Sequence, residues 1–431
     1  MNFNTFLLRL GFKPDNFKNG QIDPIQFNDG YIYEAEQIVD KRICPYCSSS
    51  DVYINDYRYR EYRCTENDNV IDILRVKRPR FKCQKCGKTF TPKLEGIDRY
   101  STISNQTKQF IYNDFTKHLT FKQIADQYDL TSNRVTQIFD EKIKFVPRRE
   151  MPRVLCIDEI RFSEDIDQHF VCVLSDFEGK EIVDLIRNRQ IPYLREYFSA
   201  ISLKERENTK VFISDMYDGY ATICRQYFPK AIHIVDLFHV VTQLTNAVNR
   251  IRTRIMNTKA HKGSMEYNFM KSHWKYFLCR RSRIPSKYYT SKKTGETIFY
   301  GDLIFKCIQL DMSLWSAYEC LQELFKYSET STYEEALRFV ERIRNKLEIT
   351  NDELLKSVAR TYNKWRYEIA NGFNKRQSGI HYTNAIAEGL NNQLKTIIKS
   401  SYGYRNFERF RKRAMLMQSY NKIDHNKKPR T

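Results

Sequence analysis

An α/β core, split by a long helical stretch and preceded by two small modules, is the architecture that the sequence predicts. Three observations carry it. Apolar runs of strand length end in aspartate, RVLCIDEI at Asp158, KVFISD at Asp215 and AIHIVDLFHVV at Asp236. Two C-x-x-C pairs, Cys44 with Cys47 and Cys83 with Cys86, bracket arms rich in aromatic and β-branched residues. Between residues 246 and 375 the strand pattern gives way to helical periodicity.

The 431 residues allow two to four domains, and the formal net charge is +20. Such a balance, with abundant aromatics, suits a polyanionic partner, of which nucleic acid is the commonest. No apolar run approaches the roughly 18 residues of a membrane span, and MNFNTFLLRLGFKPD carries no signal-peptide pattern. The expectation is a cytoplasmic, nucleoid-associated protein without a membrane partner. Eleven cysteines in that setting imply reduced thiols, some of them metal ligands, and argue against a disulfide framework.

Taken in order, residues 1–40 hold an amphipathic start, FNTFLLRLGF, and a loop. Residues 41–95 read as a zinc-binding module. CPYC and CQKCGKTF each set two thiolates on a tight turn, Gly87 permits the turn's backbone, and four thiolates close a Zn²⁺ tetrahedron. The wide gap from Cys47 to Cys83 demands an extended hairpin. Cys64 within it is either a substitute ligand or an ordinary thiol. Residues 100–146 read as a helix-turn-helix domain: Ile124, Ala125 and Tyr128 face Val135, Ile138 and Phe139. Thr131 or Ser132 caps the second helix, leaving Asn133, Arg134 and Gln137 for base edges.

After the linker PRREMP, residues 152–245 give three strand-like runs, a helix, a strand, a helix and a strand. That is the order of a ribonuclease H-like fold, in which the first and fourth strands are neighbours, so Asp158 and Asp215 emerge side by side. Two carboxylates buried among apolar strands repel, and a divalent cation removes the cost. The third carboxylate is expected from TNAIAEGLNNQLKTIIKS. At about 100° per residue this helix sets Asn384, Glu388, Asn391, Asn392, Lys395 and Lys399 on one side. Ile386, Leu390, Leu394 and Ile397 lie on the other. Asp158, Asp215 and Glu388 are thus the candidate catalytic ligands for Mg²⁺ or Mn²⁺. Asp236 and His239 have two readings, an auxiliary part of the catalytic edge or a structural strand end.

IDEI, ISDMYDGY, FPKAIHIVDLFHVV and NAIAEGLNNQLKTIIKSSYGYRNFERFRKRAM together resemble bacterial insertion-sequence transposases of the DDE type, nearest the ISL-three family. The resemblance implies that Asp158, Asp215 and Glu388 form the metal-binding triad. It also implies a ribonuclease H-like core interrupted by a helical insertion, residues 246–375, and resumed over residues 376–420. The expected function is binding of the element's terminal inverted repeats, then metal-dependent cleavage and transfer of DNA strands into target DNA. Two rivals are a non-catalytic DNA-binding regulator that retains the fold, and a nuclease of the same fold without strand transfer.

All three tryptophans, Trp274, Trp315 and Trp365, fall in the insertion, which predicts a core of its own. STYEEALRFVERIRNKLEI begins with a capping box from Ser331 to Glu334. Lys395, Lys399, Arg405, Arg409, Arg411, Lys412 and Arg413 follow the glutamate and are expected to neutralise phosphates. Residues 421–431 form a basic tail. Pairing two element ends demands two active sites, hence a homodimer or larger assembly on DNA.

Overall fold

A computed structural model describes residues 3–18, 24–27, 30–40, 42–65, 71–162, 169–258, 262–327, 332–373, 382, 385–401, 404 and 406–427, with side chains to Gln418. The chain divides into two units, Met1–Pro147 with Thr396–Thr431, and Arg148–Lys395.

The first unit begins with helix α1 (Phe3–Arg9), which lies on the amphipathic start, and with strands β1 (Ile25–Phe27) and β2 (Gly30–Glu36), where the sequence predicts only a loop. A long hairpin follows, β3 (Val52–Thr65) and β4 (Ile71–Cys83), with a short β5 (Thr89–Phe90) beside it. The order is β1-β2-β4-β3, with β2 parallel to β4 and β5 paired to β4. Pairing runs from Val52 opposite Cys83 to Thr65 opposite Ile71, so the ribbon's length absorbs the wide cysteine gap. Its apolar residues Tyr62, Leu74 and Val76 pack on Phe6, Leu7, Leu10 and Phe12.

Three helices come next, α2 (Asn105–Asp114), α3 (Phe121–Gln127) and α4 (Ser132–Lys142). Thr120 and Gln123 form a reciprocal capping box on α3, and the Thr131 side chain, not Ser132, caps α4. Asp129, at φ 47°, turns the chain between them. Ile124, Ala125, Tyr128, Val135, Ile138 and Phe139 share one core with Ile111 and Phe115, the pairing expected from the sequence. The C-terminal helix, Phe407–Lys427, adds Leu416 to that core.

The second unit is built on β6 (Val154–Arg161), β7 (Phe170–Asp176) and β8 (Glu181–Ile186), an antiparallel meander. Helices α5 (Ile191–Ser199) and α6 (Leu203–Arg206) lead to β9 (Val211–Ser214), and α7 (Asp218–Tyr227) leads to β10 (Ile232–Val235). The sheet order is β10-β9-β6-β7-β8, with β9 parallel to β6 and β10 parallel to β9. Alternation splits the strands between two faces. Leu155, Ile157 and Phe212 meet Phe198 of α5 and Tyr220 and Ile223 of α7. Val154, Cys156, Val211, Ile213 and Ile234 lie on the other face with Ala387.

Beyond β10 come α8 (Leu237–Met256), α9 (Met265–Ser272), a small hairpin of β11 (Tyr288–Thr290) and β12 (Thr297–Phe299), then α10 (Tyr300–Ile308) and α11 (Met312–Tyr327). Then α12 (Tyr333–Glu348), α13 (Glu353–Lys364) and α14 (Arg366–Phe373) complete the insertion, and α15 (Ala385–Ser400) follows. The α12 capping box sits one residue later than the sequence suggests, with Thr332 and Glu335 bonded reciprocally. Nor is the insertion's core separate. Trp365, Ile369 and Phe373 share a cluster with Val235 of β10. Gly372 makes that approach possible, since a Cβ there would stand 2.8 Å from the Val235 carbonyl oxygen.

Candidate active site and metal centre

Three aspartates stand at one level on three adjacent strands: Asp215 and Asp236 directly follow β9 and β10, whereas Asp158, expected to end its strand, lies inside β6, which stays paired to β7 as far as Arg161. The β6–β9 register pairs Cys156 with Ile213, so two further residues bring Asp215 opposite Asp158. The β9–β10 register pairs Ser214 with Val235, which sets Asp236 beside Asp215, and the Asp236 N–H donates to the Ser214 carbonyl oxygen at 2.9 Å. Alternation from Val154 and Cys156, and from Val211 and Ile213, gives Asp158 and Asp215 the face on which Ala387 of α15 lies. The helix that carries Glu388 therefore covers the carboxylate edge.

The covering contact is Asn391. Its side-chain nitrogen donates to Asp158 Oδ2 at 2.8 Å, while the Glu159 N–H donates to Asp158 Oδ1 at 2.8 Å. Ala387, Leu390, Asn391, Leu394 and Ile397 are buried, whereas Glu388, Lys395 and Lys399 are exposed. The helical wheel thus errs at Asn391, which belongs to the inner face because a carboxylate meets it there. Glu388 lies one turn before Asn391, about 60° around the helix. Among the described residues the only three or more Cys, His, Asp or Glu ligands within 4.8 Å of one another are four cysteines. Asp158, Asp215 and Glu388 do not converge to that degree. Asn384 lies outside the described residues.

Burial pushes the Asp215 carboxyl up to about 6, aided by the charges of Glu159 and Asp158 and opposed by His239 and the Tyr217 N–H. Burial likewise raises Asp158, against the Glu159 N–H and the charge of His239. The two aspartates are costly as anions, and two acceptor oxygens here have no hydrogen-bond donor: buried Asp215 Oδ1 and buried Asn391 Oδ1. Hard oxygen donors with nothing to accept, next to destabilised carboxylates, fit a hard divalent cation.

Asp236 also has a local task. Its side chain accepts from the Phe238 N–H at 3.2 Å and caps α8, placing His239 in the first turn. On the opposite face, the residue after Asp158 organises a network that the sequence did not reveal. Glu159 pairs with Arg189 at 2.6 Å and accepts from the Tyr220 hydroxyl at 3.3 Å. The Arg189 guanidinium also stands over the rings of Phe170 and Tyr217, at 4.8 and 5.3 Å. Gly219 leaves room for the Tyr217 ring, since a Cβ there would stand 2.3 Å from it. DMYDGY is thus one aspartate at the edge and a set of packing residues that hold Glu159 and Arg189 behind it.

In the first unit Cys44, Cys47, Cys83 and Cys86 form a second centre. Cys44 and Cys86 sulfurs are 3.7 Å apart, Cys47 and Cys83 sulfurs 3.6 Å. A tetrahedron with metal–sulfur bonds of about 2.3 Å has edges of about 3.8 Å. The two knuckles repeat each other. Ser48 N–H returns to the Cys44 carbonyl with φ 58° at Ser48, and Gly87 N–H returns to that of Cys83 with φ 70° at Gly87. Burial raises the Cys44 thiol, and the N–H groups of Tyr46 and Cys47 with the facing thiols outweigh it, bringing it to about 7. Cys64 is buried at the far end of the ribbon, opposite Asp72, and is no substitute ligand.

Of the basic and polar residues assigned to nucleic acid, Asn133 and Gln137 are exposed on α4, and Arg134 donates to Gln137 at 3.2 Å. Arg409 makes a two-pronged pair with Asp140, its Nε 3.0 Å from Oδ1 and its Nη2 2.7 Å from Oδ2. Arg411 donates to the Val146 carbonyl. Arg413 corrects the expectation of a free phosphate binder. It is fully buried, donating to the Tyr404 hydroxyl and to the carbonyls of Lys117 and Leu119, a site that tertiary contact creates. Arg405 lies outside the described residues.

No helix among the described residues is long and apolar enough to cross a membrane. The model of the DDE transposase family of the ISL3 type, described as "Transposase", matches residues 155–414, a span that contains Asp158, Asp215, Glu388 and Asn391. The transposase for insertion sequence element IS1001 of Bordetella parapertussis is 20% identical to this chain over 390 residues, 85% of this chain and 86% of that protein.

Proposed function

The chain belongs to the ISL3-type family of DDE transposases, and from that premise we propose that it binds the terminal inverted repeats of its own element and cuts and joins DNA strands at the Asp158–Asp215 edge. The core of the reading is a ribonuclease H-like sheet on which Asp158, Asp215 and Glu388 hold two Mg²⁺ or Mn²⁺ ions. Such ions, when bound, activate a water or 3′-hydroxyl for attack on phosphorus and stabilise the leaving oxygen. The chain's own share is positional. Asp158 and Asp215, level on neighbouring strands, supply the fixed carboxylates. Glu388 supplies the movable one from α15, and Lys395 and Lys399, exposed on the same helix, neutralise phosphates.

In the first unit, Cys44, Cys47, Cys83 and Cys86 hold Zn²⁺, and the metal supplies folding energy to the two knuckles. The α3–α4 pair acts as a helix-turn-helix, with Asn133, Arg134 and Gln137 at base edges and Arg405 and Arg409 near the backbone. DNA ends and target DNA are the partners, and two chains pair two ends. Asp236 and His239 serve the edge as a cap and a nearby cation.

One observation carries the reading: Asp215 Oδ1 is buried without a donor, level with Asp158 on the neighbouring strand, on the face that the Glu388 helix covers. The test is purified protein with Mg²⁺ or Mn²⁺ on DNA carrying the repeats that flank its gene, plus a target plasmid. Cleaved and joined products are expected, lost in Asp158→Ala, Asp215→Ala and Glu388→Ala, with end binding retained. Cleavage without joining supports the nuclease instead, and binding without cleavage supports a regulator.

A further inference from the structure

Asn391 is the one amide among the polar residues of α15 that is turned inward, with 2% of its surface exposed. Its two polar atoms meet opposite fates. Nδ2 donates to Asp158 Oδ2 at 2.8 Å, and Oδ1 is buried with no donor. The orientation is dictated by chemistry, since an ionised carboxylate only accepts, so the amide must turn its NH₂ to Asp158 and its oxygen away. Leaving a buried amide oxygen without a donor is costly, and a helix position that only needed packing would carry leucine or alanine. Asp215 Oδ1 is another donorless buried oxygen of this face. An acceptor left bare by a bond that also orients a metal-ligating carboxylate has the form of a ligand.

We propose that Asn391 completes the cation site: its amide nitrogen fixes the Asp158 carboxylate, and its amide oxygen is a neutral ligand for the ion held by Asp158 and Asp215. The inference rests on the proposed function, because it presumes a cation at that edge. It adds a residue outside the carboxylate triad and gives α15 a second attachment to the metal, one turn from Glu388. A neutral ligand there keeps the charge on the protein side of the site from rising further, while Asp158 stays oriented before any ion arrives.

The test is Mn²⁺ binding by the full chain with its zinc retained, followed by calorimetry and by the Mn²⁺-induced shift in Tm, in wild type, Asn391→Ala, Asn391→Asp and Asp215→Asn. Wild type is expected to bind Mn²⁺ in a manner lost in Asp215→Asn. Asn391→Ala should raise the Mn²⁺ Kd about 10–100-fold and shrink the Tm shift. Asn391→Asp keeps an oxygen and adds a charge against Asp158, so it should bind Mn²⁺ at least as tightly and gain a larger Tm shift, the ion relieving the repulsion. A wild-type Kd in Asn391→Ala, with Tm lowered equally with and without Mn²⁺, reduces Asn391 to packing and overturns the inference alone. Weaker binding by Asn391→Asp than by wild type overturns the ligand role even if the alanine variant does not fold. Wild-type protein with no Asp215-dependent Mn²⁺ binding removes the proposed function as well.

Discussion

The two candidate metal centres are assembled in opposite ways. Four sulfurs of the first unit already lie at the edges of a tetrahedron, whereas the carboxylates of the second stand level on neighbouring strands with Glu388 outside. The difference follows from where the ligands come from and what they cost. Each knuckle contributes two thiols across a four-residue turn, and neutral thiols do not repel before the metal binds. The carboxylates come from β6, from β9 and from a helix more than 170 residues further on, and each one brought closer raises the energy of the others. A closed thiolate centre is a fold-holding device, and an open carboxylate edge keeps room for a substrate.

The largest way to break that contrast is at the thiolates. Cys83→Ser removes a ligand that also pairs with Val52 at the root of the hairpin. Structural zinc sites hold on the order of 10 kcal/mol of folding free energy, so the variant should lose its metal and the ordered knuckles together. Metal content by mass spectrometry and far-UV circular dichroism report it. A variant that keeps full metal content and its spectrum would remove the thiolate centre.

Asp215→Asn should cut the other way, abolishing the proposed strand cleavage while making the metal-free protein more stable. Folding raises the Asp215 carboxyl to about 6, so the folded chain holds this proton more tightly than the unfolded one. The favourable contribution is present below about pH 4 and is lost as pH rises through about 6, leaving a penalty at neutral pH. Removing the charge should therefore return about 1–3 kcal/mol above pH 6 and almost nothing below pH 4. Thermal melts in chelator across that range decide it, and a variant destabilised at pH 7 would show that the edge is not strained by its charges.

His233 gives a further contrast within the second unit, since burial lowers its ring to about 4, with Arg225 adding to it. Ser214 Oγ donates to the Asp215 carbonyl, so the His233 Nε2 that lies 2.8 Å away must be the protonated nitrogen of a neutral ring. With the folded value depressed, stability is full above about pH 6.5 and falls as pH drops toward 4, by about 1–3 kcal/mol. Asp215 and His233 thus titrate in opposite senses over overlapping ranges, and His233→Gln should flatten the acid limb that Asp215→Asn leaves in place.

What was legible in the sequence follows the same division. C-x-x-C spacing is local, so the knuckles could be read directly, and a charge that interrupts an apolar run stands out, so Asp158 and Asp215 could be found even though β6 runs on past Asp158 to Arg161. Asn391 could not, because a helical wheel counts polarity and knows nothing of a carboxylate on a strand more than 230 residues earlier. Arg413 escaped for the same reason, its partners being carbonyls near Leu119. Strands β1 and β2 escape the sequence because three-residue β1 has no period and β2 is held by pairing with distant β4.

The smallest expected effect sharpens the comparison at the thiolate end. Cys64 lies within the interval that separates the two knuckles in sequence, yet pairs with Asp72 while Val52 pairs with Cys83. Twelve residues of strand separate Cys64 from Val52, about 40 Å at strand rise. Its thiol is fully buried and pushed up by that burial, the behaviour of a packed apolar group and the reverse of Cys44. Cys64→Ala should leave the metal stoichiometry at its wild-type value and cost about 1 kcal/mol for the small void beside Tyr62 and Leu74. Loss of metal in that variant would mean that the ribbon's far end and its knuckles fold as one cooperative block, so that the metal holds the whole hairpin and not the two turns alone.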